Sequence, residues 1–560
     1  MKNGLILVLF AFMTISGCNT ATQNESTAYD DRIDGIFTGF DDANKPGAAV
    51  AVVKDGEIVF KKGYGSANME YDIPVTPSTV FHIASVSKQF TVFAILLLAE
   101  EGKLNFDDDI RKHIPEVPDF GKTITLRHLA AHTSGLRDQW NLLALAGWRL
   151  DDVITKEHVM KLVAAQNELN FDPGEEFTYS NTGFTLLAET VARVSGQSFA
   201  EFTKARVFDP LGMSSTLFYD DHEKIVKNRS YSYYNTGNGY KKSVLSYANV
   251  GATSLFTTVE DLSLWAMNFE TPKVGSKEII EQMNTLAQLN NGETFGGAYG
   301  QFVGDYKGLK QIQHGGADAG YRTYLARFPD QKFAVAVFSN YADANPGALA
   351  LRVADVFLGD QMTTEQQEQA AIPDFITLSE EDMGSFAGSY WNESGVYARK
   401  IYFKNDTLRY FRGENNESPL MPIDQNTFQM LNVEVDLKVK FEEKGDKKTM
   451  IVTIDNGDPI VSEQFEPLDY SRADLAGFTG VFYSDELSTA YTLIMRNDSL
   501  IATHPRHSDF SLTPIKEDMF SADRWYFGNV RFERNLDNSI SGFRVSSGRV
   551  RNLLFEKEED

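Results

Sequence analysis

One cysteine, Cys18, stands in 560 residues, so no disulfide can form within the chain. Basic residues are few beside acidic ones, 53 against 78. The formal charge of −25 argues against nucleic acid as a partner and against electrostatic docking on anionic lipid. Long apolar runs are missing as well: Leu5–Thr14 and Phe90–Ala99 are both too short to span a bilayer. No phosphate-cradling glycine pattern lies between a strand and a helix, so no organic cofactor is implied. His128 and His132 are four apart and would face one way on a helix. Leu129-Ala130-Ala131 between them lack the glutamate of a zinc-protease pattern, and no third ligand stands at a sensible spacing. No metal is predicted, and packing or capping is expected of both histidines.

What the chain does have is Ser85-Val86-Ser87-Lys88, set just ahead of the apolar run Phe90–Ala99. A serine and a lysine three apart at a helix start share one face, one turn from each other. The hydroxyl then lies at the positive end of the helix dipole, where a developing anion is favoured. A lysine at the mouth of a buried helix is pushed by desolvation toward the neutral, basic form. A serine hydroxyl needs such a neighbour, because alone it is a poor nucleophile at neutral pH.

Ser-x-x-Lys by itself is common, and two triplets further along the chain give it weight. Tyr179-Ser180-Asn181 comes after the turn Asp172-Pro173-Gly174 and before a helix-like segment, Phe184–Val194. His314-Gly315-Gly316 sits between two strand-like runs, Leu309–Gln313 and Tyr321–Phe328.

In this order the triplets resemble those of the serine hydrolases related to class C β-lactamases, DD-carboxypeptidases and D-aminopeptidases. The likeness covers roughly residues 30–360. It includes the opening hairpin from Pro46 to Gly56, the segment from Ile124 to Leu136, Pro210-Leu211-Gly212-Met213 and the closing strand Phe333–Asn340. The resemblance implies that Ser85 attacks a carbonyl and forms an acyl-enzyme. Lys88 and Tyr179 would share the general-base work, with Tyr179 protonating the leaving group. Asn181 would donate to Lys88 or to the substrate amide. The backbone N–H groups of Ser85 and Ala317 would form the oxyanion hole, donors worth about 3–4 kcal/mol each in measured holes. His314, with Gly315 and Gly316, would line an edge strand opposite.

His314 departs from the lactamases, which have lysine there. A histidine is mostly neutral at pH 7 and titrates near it, so the site is expected to depend less on a free substrate carboxylate. Gly251-Ala252-Thr253-Ser254-Leu255 also departs from the family, and no function is read from it.

At the N-terminus, a short basic start, the apolar stretch Leu5–Thr14 and Ile15-Ser16-Gly17-Cys18 form a signal peptide. Its end resembles the bacterial lipoprotein signal, in which the cysteine is lipidated. Residues 1–18 are therefore expected to be removed up to Cys18, and 19–28 to tether the protein to a membrane, facing the periplasm or cell surface.

A catalytic domain is expected over 29–360 and a polar, glutamine-rich linker over 361–377. Beyond it the chain repeats itself. Asp382-Met383-Gly384-Ser385-Phe386-Ala387-Gly388 matches Asp474-Leu475-Ala476-Gly477-Phe478-Thr479-Gly480 at an offset of 92, and Asn405-Asp406 matches Asn497-Asp498 at the same offset. The strand-like texture of each unit predicts two lipocalin-like barrels, 378–468 and 471–560, with interiors filled by side chains. Similar barrels in D-aminopeptidase-like members crowd the catalytic cleft.

The expected fold is thus α/β, an antiparallel sheet flanked by helices plus an all-helical lobe, followed by two tandem small antiparallel β-barrels. The expected function is an exported, lipid-anchored serine hydrolase acting on amides or peptides containing D-amino acids. A carboxylesterase of the same family is the nearest alternative, and a catalytically silent sensor of cell-wall fragments the more distant one. The expected partners are a small peptide, amide or ester substrate and, through Cys18, a membrane.

Overall fold

The computed structural model describes residues 29–363, 375–393, 397–404, 406–413, 416–431, 433, 437–444, 447–454 and 459–559. The signal peptide with Cys18, the tether 19–28 and most of the linker 361–377 lie outside the described residues.

A seven-stranded antiparallel sheet forms the frame. Its order is Gly297–Ala298, Gln301–Tyr306, Leu309–Asp318, Tyr321–Phe328, Phe333–Ser339, Ala48–Lys54 and Glu57–Tyr64. The first and last parts of the catalytic region meet as its fifth and sixth strands, where Ala48 pairs with Ser339 and Lys54 with Phe333. These two interior strands are mostly Ala and Val because both faces are covered. Ala49, Ala51 and Val53 point to one side, toward the helix Val259–Glu270 and the main core. Val50 and Val52 point to the other, onto Ile33, Phe37 and the helix Pro346–Leu358.

The helix Lys88–Glu100 is buried from Lys88 to Leu98. It has no solvent face to spend on charge, which explains its nearly unbroken apolar sequence. It packs between the sheet and a helical lobe that includes Leu126–Ala130, Gln139–Leu145, Lys156–Ala164 and Asn181–Ser195.

Two closed eight-stranded antiparallel barrels complete the chain, from Gly388 to Phe465 and from Gly480 to Lys557. Their first strands, Gly388–Asn392 and Gly480–Ser484, begin 92 residues apart, as do the short helices Glu380–Gly384 and Arg472–Ala476 that precede them. Aromatic rings fill the second barrel: Tyr491 lies 4.9 Å from Phe527, and Phe543 is 4.9 Å from Phe482 and 5.0 Å from Phe555.

The two barrels differ in what they pack on. The core of the first is separate, whereas that of the second is continuous with the core of the helical lobe. The second barrel is also tied down by polar contacts. Tyr491 donates to the carbonyl of Leu145 at 3.2 Å, and a ring nitrogen of His507 meets that of Ala144 at 2.8 Å. Arg137, with no exposed side chain, pairs with Glu486 of the barrel at 2.7 Å and donates twice to the carbonyl of Arg551, at 2.9 and 3.1 Å.

Candidate active site

Ser85 lies in a 3-10 turn, Ala84–Ser87, that leads directly into the helix beginning at Lys88. In 3-10 geometry residues three apart eclipse one another, which brings the Lys88 ammonium under the Ser85 hydroxyl. Nζ donates to Ser85 Oγ at 3.0 Å, to Asn181 Oδ1 at 2.9 Å and to the carbonyl of Ala252 at 2.7 Å. The turn enters through Ala84, whose φ of 48° is a strained left-handed value for a residue with a Cβ. Three contacts hold it there: the Ala84 N–H donates to Nδ1 of buried His82 at 3.2 Å, Ser87 Oγ donates back to the Ala84 carbonyl at 2.5 Å, and Thr323 Oγ1 caps the Ile83 carbonyl at 2.8 Å.

Burial is the main force on Lys88 and lowers its pKa to about 7. The carboxylates of Asp318 and Asp138 pull it back up, and the Arg549 guanidinium pushes it further down. A neutral amine keeps two N–H groups and gains a lone pair. Asn181 and Ala252 are placed to take the two hydrogens, which turns the lone pair to the Ser85 hydroxyl. Tyr179 is hydrogen-bonded to Ser85, but burial raises its pKa above the ordinary phenol value. Of the two expected bases, Lys88 is therefore the one that is free of its proton near pH 7, and Tyr179 stays protonated and can donate.

Asn181 opens the helix Asn181–Ser195, and its carbonyl oxygen, not its amide nitrogen, faces Lys88. The expected donation from Asn181 to Lys88 runs the other way. Its nitrogen is already committed, because Asp138 Oδ2 accepts from Asn181 Nδ2 at 2.8 Å and from its backbone N–H at 2.7 Å. Asp138 itself caps the helix Gln139–Leu145 through the Trp140 N–H.

The strand Leu309–Asp318 is interior in its first half and an edge in its second. Pairing with Gln301–Tyr306 stops at Gln313, so His314 to Asp318 have a neighbour on one side alone. The two-residue turn Ala319-Gly320 makes Asp318 and Tyr321 the hydrogen-bonded closing pair. By the alternation of antiparallel ladders, Ala317 then turns its N–H to the free edge. The Ser85 N–H, in the first turn of its 3-10 helix, has no intrahelical acceptor. Gly316 is what lets the edge strand come close to the turn that carries Ser85. A Cβ there would stand 2.3 Å from the Ile83 carbonyl oxygen, 2.4 Å from Thr323 Oγ1 and 3.1 Å from Ala84 Cβ. Gly315, by contrast, has ordinary room around it.

His314 is buried, with Nδ1 2.6 Å from the Gly315 carbonyl and Nε2 without a partner among the described residues. Its ring is 6.2 Å from that of Tyr179 and 5.4 Å from that of Phe302. The expectation that it titrates near neutrality is overturned: burial first, then the positive Lys88, lower its pKa to about 3. The zinc-like histidine pair is dissolved by the backbone. His128 closes a capping box with Thr125, while His132 lies past the helix end with φ 60°, so the two do not share a helical face. His132 is buried, stacks on Tyr179 at 4.1 Å and accepts from the Ser180 N–H at 3.0 Å. It fixes the Tyr179 ring from behind.

Beside the edge strand opens a cleft of about 870 Å³ lined by Tyr247, Ala317, Asp318, Arg322, Trp525 and Arg549 among others. Trp525 and Arg549 come from the second barrel. Arg549 stands at the tip of the hairpin joining Ile540–Ser547 to Val550–Lys557, with its guanidinium carbon 4.8 Å from the Tyr179 ring centre. His82, Asp138, Ala252 and Arg549 were not found by sequence reasoning. Asp138, three residues after Gly135 at a helix N-cap, carried the one local signal.

The model of the beta-lactamase family matches residues 33–358. A D-aminopeptidase of Gluconobacter oxydans is 26% identical over 339 residues, 60% of this chain and 64% of that protein. A penicillin-binding protein of Bacillus subtilis is 26% identical over 425 residues, 72% of this chain and 92% of its own length. The chain thus spans slightly less than two thirds of the D-aminopeptidase. The octameric penicillin-binding protein homologue of Pyrococcus abyssi superposes with a TM-score of 0.53 at 24% identity, over 79% of this chain and all of that one. This last likeness concerns the fold alone.

Proposed function

Because this chain belongs to the beta-lactamase family, we propose that it is a serine hydrolase that works through an acyl-enzyme on Ser85 and that its substrates are amides or peptides containing D-amino acids. The observation that carries this reading is the contact of Lys88 Nζ with Ser85 Oγ at 3.0 Å, in surroundings that lower the amine's pKa to about 7.

In the proposed sequence, neutral Lys88 takes the hydroxyl proton as Ser85 Oγ attacks the carbonyl carbon. The charge that develops on the carbonyl oxygen is met by the N–H groups of Ser85 and Ala317. Tyr179, still protonated and bonded to Ser85, gives its proton to the departing amine and recovers one from Lys88. Water then attacks the ester under the same base, and Ser85 regains its proton. The likeness to a D-aminopeptidase supports the D-amino acid class. We also infer that the protein is exported and lipid-anchored through Cys18, from the signal-like residues 1–18.

The test is intact-mass spectrometry of the protein lacking residues 1–18. It is mixed with D- and L-aminoacyl anilides, a D-Ala-D-Ala peptide and a short-chain aryl ester. An adduct on Ser85 with turnover of the D-amides, both absent in Ser85→Ala, is expected. Turnover of the ester alone would replace the peptidase reading with an esterase, and silence would leave a sensor. For the anchor, Cys18→Ala should move the protein from the membrane to the soluble fraction.

A further inference from the structure

Lactamases place a lysine where this chain has His314, and His314 is neutral, so the catalytic domain's edge strand presents no cation to a substrate. The cleft is nevertheless not without one. Arg549 reaches it from the second barrel, exposed to solvent and directed to Tyr179. Among the described residues no carboxylate pairs with its guanidinium. The other cations lining the cleft are occupied: Arg322 donates to the carbonyls of Ala319 and Tyr321, at 3.1 and 2.8 Å, and faces the Asp318 carboxylate, and Lys242 pairs with Glu70 at 3.7 Å and lies over the Tyr231 ring.

The position of Arg549 is built rather than incidental. Its carbonyl accepts from the Asp138 N–H at 3.1 Å and from Asn170 Nδ2 at 3.0 Å. Two residues on, the Arg551 N–H donates to Asn170 Oδ1 at 2.8 Å, the Arg551 carbonyl takes both bonds from buried Arg137, and its guanidinium pairs with Glu176 at 2.8 Å. The hairpin is thus clamped from the Arg549 carbonyl through Arg551, while the Arg549 side chain is left free to meet a ligand. A planar guanidinium held in this way suits a carboxylate, which it can grip with two parallel N–H bonds.

We infer that Arg549 is a specificity residue that binds a carboxylate of the substrate, so that the second barrel supplies the cation that the catalytic domain's edge strand lacks. This rests on the acyl-enzyme reading above and narrows its substrates to D-peptides bearing a free carboxylate. It replaces the sequence-based expectation that the site has little use for one. The carboxylate can belong to the leaving residue or to an acidic side chain on the acyl side, and the two are separable by ligand.

The experiment is calorimetric binding to the otherwise full chain carrying Ser85→Ala. The ligands are an N-acyl-D-Ala-D-Ala, its C-terminal carboxamide, and an N-acyl-D-Glu-D-Ala carboxamide. At least one carboxylate ligand should bind about tenfold or more tighter than the plain carboxamide, and which one identifies the end that Arg549 holds. Adding Arg549→Ala should bring that ratio close to one, Arg549→Lys should keep part of it, and Arg549→Glu should invert it. Equal affinities in the Ser85→Ala chain, a preference that survives Arg549→Ala, or no binding at all would overturn the inference. Because binding is read without turnover, a carboxylate preference in a protein that forms no acyl adduct would sink the acyl-enzyme reading and leave Arg549 as the carboxylate contact of a binding site.

Discussion

One carboxylate oxygen of Asp138 holds both nitrogens of Asn181, the backbone N–H at 2.7 Å and the side-chain amide at 2.8 Å. That grip fixes which end of the amide faces Lys88, and through Lys88 it fixes the base beneath Ser85. Asp138 touches no reacting atom. It is a positioning residue, fully buried, and its backbone N–H is also the contact that receives the Arg549 carbonyl of the second barrel.

Asp138→Ala should lower kcat on the order of a hundredfold with a smaller effect on KM, because it leaves Asn181 free to turn. Asp138→Asn should recover much of the loss, since its carbonyl can take both Asn181 nitrogens, at the expense of the cap on Trp140, worth about 1 kcal/mol. A purely structural role would lower Tm in both variants without a kcat-specific loss. Asp138 also raises the pKa of Lys88, so the acid limb of the pH profile should move to lower pH in Asp138→Ala.

The wild-type profile should have its acid limb near pH 7. Lys88 accepts a proton only when neutral, and burial lowers its pKa to about 7, so kcat/KM rises through that pH and levels above it. His314, lowered to about 3, and Tyr179, raised above the ordinary phenol value, add no limb between about pH 5 and 9. The sign for stability comes from the same burial. The unfolded chain holds the Lys88 proton up to its ordinary value of 10.5 while the folded chain releases it near 7, so burying Lys88 costs most below pH 7 and progressively less as pH rises between the two. A kcat/KM that is flat from about pH 5 to 9 would contradict the assignment of Lys88 as base.

The motifs carried the fold and the cluster of Ser85, Lys88 and Tyr179 because each rests on local spacing: Ser85 and Lys88 share a turn, and Tyr179 comes two residues before the helix that Asn181 opens. The 92-residue offset carried the barrels for the same reason, since each strand and turn returns at the same interval. What the sequence did not yield is long-range. Asp138 and Asn181 are 43 residues apart, and the Arg549 guanidinium meets the Tyr179 ring across domains. His314 is neutral at pH 7 as expected, but its titration lies far below neutrality because it depends on burial and on Lys88, neither of which is local to His314-Gly315-Gly316.

Gly316→Ala tests how the edge strand meets the serine turn. The new methyl would collide with the Ile83 carbonyl and Thr323 Oγ1 and press on Ala84, forcing the strand away from Ser85. Overpacking of this kind costs about 1–3 kcal/mol of stability. Separating the Ala317 and Ser85 N–H groups should also lower kcat by about a hundredfold, the effect of losing one oxyanion donor. Gly315→Ala, where there is room, is the control and should show neither effect at that size. Equal behaviour of the two variants would mean that Gly316 does not set the approach.

Glu486→Ala tests whether the second barrel is part of the catalytic unit. Arg137 has no exposed side chain, and Glu486 is the carboxylate at 2.7 Å that balances it. Removing that carboxylate leaves the buried guanidinium with Gln166, the Arg551 carbonyl and the exposed Glu168 carboxylate at 3.5 Å, and also frees the Asn167 N–H. Breaking a buried pair by deleting one partner destabilises by about 3–5 kcal/mol, and the remaining Glu168 carboxylate holds the loss to the lower end of that range. Most of that should appear at the joint, because the pair spans it. Calorimetry should therefore resolve a separate, earlier transition for the second barrel. Turnover should fall at temperatures between the two transitions, where the catalytic domain is still folded but Arg549 no longer lies at Tyr179 and the Asp138 N–H has lost its partner. Arg137→Met with Glu486→Leu, which replaces the charges by apolar groups of similar size, should restore a single transition. A protein that melts as one unit with full activity after Glu486→Ala would show that the barrel is held by its apolar contacts, and that the ion pair does not couple it to the site.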